Sequence, residues 1–187
     1  MPSLLAAITS SNQQARADTG AMFPIFAATV TTTAASITFS NIPSTYKHLH
    51  LRGLFGSVSG DDAFGIQFNG DTGNNYAYHY LASNGTTTYP GSSTSRPFAI
   101  LTDSAGAAIS SRPSTFVMDI LEYTSTTKTK VLKHSVGTNN NGPGWQQFVS
   151  GLWFATPAAI TSITLLGLSG ARFSQYSSIA LYGIKGA

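Results

Sequence analysis

Seven carboxylates and four histidines are the acid–base groups this 187-residue chain carries within reach of neutral pH. Hydrolysis of a glycosidic bond needs two carboxyl groups flanking the scissile linkage. Asp61 and Asp62 are neighbours in a glycine-rich loop. Asp119 and Glu122 stand three apart near a strand end, where they point in different directions, and Asp18, Asp71 and Asp103 are isolated. A depolymerase would need distant acids to converge. Gly-x-Ser-x-Gly is absent, so no nucleophile elbow is written into the chain, and with no cysteine both thiol nucleophiles and thiolate metal sites are excluded. His48 and His50 share one face of an alternating segment, a spacing that suits two metal ligands, with His79 or His134 as the third. The plainer reading is a pair of half-exposed polar positions on an amphipathic strand. Asn69-Gly-Asp-Thr-Gly-Asn-Asn lacks the register of a calcium loop and its closing glutamate, and reads as a hairpin turn. No catalytic residue, cofactor or metal centre is expected, and the chain is read as not being an enzyme.

The elements that would position these groups are strands. His48-Leu-His-Leu-Arg-Gly-Leu-Phe alternates, placing Leu49 and Leu51 opposite His48, His50 and Arg52. Strands are likewise expected at residues 29–33, 36–39, 64–68, 76–81, 98–101, 114–121, 129–136, 148–154, 160–168 and 178–184, separated by Gly, Pro, Asn and Ser clusters. Tyr76, Tyr78 and Tyr80 fall on one side of their strand, as a sugar-stacking platform would require, although such stripes more often face a core or a subunit interface. Many short strands with polar turns imply an all-β fold, an antiparallel β-sandwich of jelly-roll-like form spanning residues 29–187. Residues 1–28 lack alternation and read as an extended N-terminal arm whose assembly contacts would be Leu4, Leu5, Ile8, Arg16, Phe23 and Phe26. Two stretches, residues 83–97 and 137–144, read as long polar loops. Tyr89, Arg96, Asn139, Asn140, Asn141 and Trp145, in or beside them, are the residues expected to meet a ligand or partner.

Composition narrows the partners. Charged residues make up 9% of the chain, and 47 positions are Ser or Thr. The net charge of +3 reflects scarce acids rather than a basic patch: the cations are scattered, apart from the run of residues 128–133. A nucleic-acid footprint is a clustered stripe with aromatic stacking partners, so no nucleic-acid partner is expected. No apolar stretch reaches the 18 or so residues of a membrane-spanning helix, and the N-terminal segment lacks the basic region of a signal peptide. No membrane partner is expected either.

Several phrases taken together resemble a family of bacteriophage virion structural proteins. They are Phe39-Ser-Asn-Ile-Pro-Ser-Thr-Tyr-Lys-His-Leu-His-Leu-Arg, Ile66-Gln-Phe-Asn-Gly-Asp-Thr-Gly-Asn-Asn-Tyr-Ala-Tyr-His-Tyr-Leu, Met118-Asp-Ile-Leu-Glu-Tyr, Ser150-Gly-Leu-Trp, Ala159-Ile-Thr-Ser-Ile-Thr-Leu and Ser178-Ile-Ala-Leu-Tyr-Gly-Ile-Lys. The resemblance covers about residues 29–187. It implies a non-enzymatic component of a tailed-phage head or tail, located in the virion and homo-oligomeric, with a trimer expected. The reading drawn from it is a capsid decoration or cement protein bound to the major capsid protein through its arm. The alternative is a tail fibre or receptor-binding module, packed on other tail subunits and touching host glycan through its polar loops.

Overall fold

A computed structural model describes residues 21–59, 62–103, 112–139 and 144–186. Twelve strands run in chain order: β1 Met22–Thr29, β2 Ser36–Phe39, β3 His48–Phe55, β4 Phe64–Phe68, β5 Tyr76–Ser83, β6 Thr88–Arg96, β7 Ala99–Thr102, β8 Ser114–Ile120, β9 Lys130–Asn139, β10 Gly144–Trp153, β11 Ile163–Gly167 and β12 Ser178–Ile184. Among the described residues there is no helix. All ladders are antiparallel. They form an eight-stranded sheet, ordered β1-β12-β3-β8-β9-β10-β5-β6, and a four-stranded sheet, ordered β2-β11-β4-β7. The chain is an antiparallel β-sandwich, and up to β5 it crosses from one sheet to the other at every connection.

The alternation in the sequence sets which side chains are buried. Along β8, Ser114, Phe116, Met118 and Ile120 face inward while Thr115, Val117 and Asp119 face out. Phe55 from β3 meets Phe64 from β4 edge-on at 5.4 Å, Phe116 at 5.8 Å and Phe173 at 6.0 Å, so rings from both sheets close the core. Each fully buried Phe is worth roughly 1.5–3 kcal/mol of transfer free energy, and edge-to-face contacts add about 0.5–1.5 kcal/mol per pair. At one end Tyr76, Phe68 and Trp153 form a second aromatic group. The Tyr76 hydroxyl accepts a hydrogen bond from the Phe68 N–H at 2.9 Å. Tyr78 packs with Ile100 and Val149 in a smaller cluster that Tyr80 borders.

Four sequence expectations change. First, residues 22–28, placed within the arm, are most of β1, an edge strand paired with β12. Its alternation is hidden by a bulge between Pro24 and Phe26, and Pro24, lacking an N–H, is tolerated because the strand is at an edge. Phe23 and Phe26 are therefore bound within the sandwich. Phe23 stacks on Tyr46 at 5.6 Å and Phe26 on Phe39 at 6.0 Å. Leu4, Leu5, Ile8 and Arg16 lie outside the described residues.

Second, most of residues 83–97 is not a loop but β6, the other edge of the large sheet. Its side chains are nearly all exposed, so no apolar period marks it, and only the ladder to β5 holds it extended. At Gly91 the Tyr80 ring lies where a Cβ would stand, so any larger residue there would push that ring aside.

Third, the Asn69-Gly70 turn does not make a hairpin, because β4 and β5 belong to different sheets. Both turn residues have positive φ, 53° and 68°, as the primed turn expected of Asn-Gly requires. The Asn69 side chain is held elsewhere, donating to the Ala159 carbonyl and accepting from the Thr161 N–H, each at 2.8 Å. The chain then continues across to the larger sheet. Fourth, residues 137–139 and Gly144, expected in the second loop, extend β9 and β10 instead.

Candidate functional site

The outward face of the large sheet carries the chemistry that the strands bring together. Register places His79, Ser150, Lys133, Asp119, His50 and Tyr182 side by side in one row running from β5 to β12. The adjacent row contains Leu81, Phe148, Ser135, Val117 and Arg52. Leu81, Phe148, Val117 and Val131 are large apolar side chains left exposed, Phe148 to 58%. Leu81, Phe148 and Val117, together with His79, Asp119 and Lys133, line a shallow depression of about 620 Å³.

Within the row, Asp119 Oδ1 lies 2.7 Å from His50 Nδ1. Lys133, its other neighbour, forms no ion pair with any described residue. His48 Nδ1 accepts the Glu122 N–H at 3.0 Å. Glu122 binds Lys128 at 2.5 Å and Lys47 at 3.7 Å, and the Lys128 ammonium holds its carboxyl below the usual carboxylate range. Asp119 and Glu122 thus serve different partners, as their spacing predicts.

The histidines do not assemble. His50 and His79 are four strands apart in the row, about 19 Å at ordinary strand spacing. His134 faces the opposite way, into the core. Its Nε2–H donates to the Leu101 carbonyl at 2.8 Å, its Nδ1 has no partner, and burial pulls its pKa down to about 4. Among the described residues no group of three or more His, Asp or Glu is placed to hold a metal ion.

Asp71 has a structural role. It accepts from the Trp153 indole at 2.6 Å, from the Gly73 N–H at 2.8 Å and from the Asn75 amide at 3.0 Å. Burial raises its pKa, but these bonds outweigh that and hold it below the ordinary value. Tyr76 and Tyr78 are buried, so the tyrosine stripe packs the core and presents no platform. Burial raises the Tyr76 pKa, and also that of Tyr80, to which nearby Asp103 and Tyr78 contribute.

Of the expected loop residues, the structure joins Tyr89 and Trp145, whose rings sit 5.2 Å apart. Asn139, opposite Gly144 in the ladder, is at the same end of the sheet. Arg96 is at the far end of β6, with its guanidinium 5.1 Å from the centre of the Phe98 ring. Asn140 and Asn141 lie outside the described residues. Sequence reasoning missed Phe148, Val117, Val131 and Lys133. The available signal was apolar residues at outward positions of strictly alternating strands. No family model, curated protein or solved structure matches this chain.

Proposed function

We propose that the chain is a bacteriophage virion structural protein, a decoration or cement protein that coats the capsid by self-association and by the segment preceding β1. The observation that carries this reading is the outward sheet face, where Leu81, Val117, Val131 and Phe148 are exposed among few charges. A protein that works alone gains nothing from such a face, whereas a repeated subunit buries it against its neighbours. The resemblance of residues 29–187 to phage virion proteins supports the same reading. So do the structural duties of Asp71, Asp119 and Glu122, each bonded to a neighbouring side chain. Gold labelling of intact particles with an antibody to this chain, together with its copy number by mass spectrometry, tests the proposal. Copies on the scale of the shell lattice are expected; absence from particles overturns it.

The Tyr89–Trp145 pair favours a second reading. Two adjacent rings at a sheet end, beside Asn139, suit stacking on a sugar with amide hydrogen bonds. In a tail fibre this tip would meet host glycan. Low copy number at the tail, and binding on a glycan array lost in Trp145→Ala, would support this reading over the first.

A further inference from the structure

We propose that the outward face of the eight-stranded sheet docks a second copy of this chain, face to face, about a two-fold axis running along the strands between β8 and β9. This deepens the reading of the chain as a self-associating building block and rests on it.

The order of charges along the central row selects the occupant. Lys133 on β9 and Asp119 on β8 are level neighbours. Rotation about an axis parallel to the strands and midway between them sets Lys133 over the partner's Asp119 and Asp119 over the partner's Lys133. Two equivalent ion pairs form, and the ammonium that lacks a counter-charge in the single chain gains one. Asp119 keeps an oxygen for this contact, since its bond to His50 uses Oδ1 and its side chain is 56% exposed.

The flanking positions match under the same rotation. Phe148 on β10 comes over the partner's Arg52 on β3, a cation above an aromatic face. Val131 meets the region of the partner's Leu121, which follows β8 and is 56% exposed. The other two-fold arrangement, with its axis across the strands at this row, would put Lys133 on Lys133 and Asp119 on Asp119. Like charges placed together across an interface cost several kcal/mol, so that arrangement is rejected.

Area is sufficient. The six strands from β5 to β12 present a face of about 700 Å² at ordinary strand spacing and rise. Two such faces bury about 1,400 Å², within the roughly 1,200–2,000 Å² of specific interfaces. Sandwich sheets already stack in this aligned manner, about 10 Å apart.

Sedimentation of the full chain tests the docking. The expected result is a dimer whose dissociation constant rises at least about tenfold in Lys133→Asp and in Asp119→Lys, since each exchange replaces two attractive pairs by two repulsive ones. The double exchange should restore association. Phe148→Asp should be monomeric with an unchanged circular dichroism spectrum. Association indifferent to the single exchanges, whether dimeric or trimeric, overturns this face, as does a double exchange that fails to restore it or a wild-type chain monomeric at ~100 μM, where an interface of this size is populated. Any of these failures leaves the virion reading to be judged separately, by labelling of particles.

Discussion

Trp153 donates its indole N–H to Asp71 Oδ2 at 2.6 Å, tying the end of β10 to the turn that follows β4. Those elements are 82 residues apart, and the bond fixes where the chain leaves the small sheet for β5. Trp153→Phe keeps the ring packing on Phe68 and Tyr76 but removes the donor. A charge-assisted bond of this kind is worth about 1.5–3 kcal/mol, and the loss should appear as a lower urea midpoint with an unchanged slope.

The same carboxylate sets an acid limit. Its folded pKa is depressed below 3.8, so its contribution is complete above that value and disappears as pH falls through the folded pKa. Asp71→Asn should flatten the stability profile below about pH 4, as read from melting temperatures in a pH series.

His134 acts over a higher window. Unfolded, it takes up a proton near 6.5; buried, it resists protonation until about 4. The unfolded chain therefore binds more protons between those values, and stability falls as pH drops from 6.5 to 4, by about 3 kcal/mol in all. His134→Leu should remove this slope, because leucine takes up no proton, at the separate and pH-independent cost of leaving the Leu101 carbonyl unpaired. An unchanged slope in that variant would refute the assignment.

Lys130 is buried to 1% exposure, with its ammonium donating to the carbonyls of Ser125 at 2.6 Å and Lys128 at 2.7 Å. Burial lowers its pKa, with Glu122 opposing that shift. Lys130→Met preserves the aliphatic stem but leaves both carbonyls unpaired, at about 1–3 kcal/mol each if they stay dry. Residues 121–128 should then open first, seen as faster amide exchange and earlier proteolytic cleavage there.

Truncation separates the sandwich from what precedes it. Removing residues 1–20 leaves β1 whole and should give a folded chain with its melting temperature unchanged. Removing residues 1–28 deletes all of β1 but Thr29, unpairs the β12 edge and strips Phe23 from Tyr46 and Phe26 from Phe39. That chain should aggregate, as exposed edges do. If the virion reading holds, the shorter deletion abolishes particle binding without unfolding.

The all-β class, and the inward residues of β3, were legible in the amino-acid sequence. A strand buried on one face records that fact in its own alternation, as Leu49 and Leu51 do against His48 and His50. The destination of the tyrosine stripe was legible as the commoner of two outcomes. β1 and β6 were not. Both are edge strands, one bulged at Pro24 and Phe26, the other exposed nearly throughout, and backbone pairing to a neighbour is what holds them straight.

The candidate site shows the same division. The local alternation turns Asp119 and Val117 outward on β8 and Lys133 outward on β9. It did not put Lys133 beside Asp119, Phe148 beside Leu81, or Tyr89 beside Trp145. Those neighbours depend on strand order and register between segments far apart in the chain. Side-chain period is local, so it tells each residue which way to face; pairing is long-range, so only the tertiary structure decides whom it faces with.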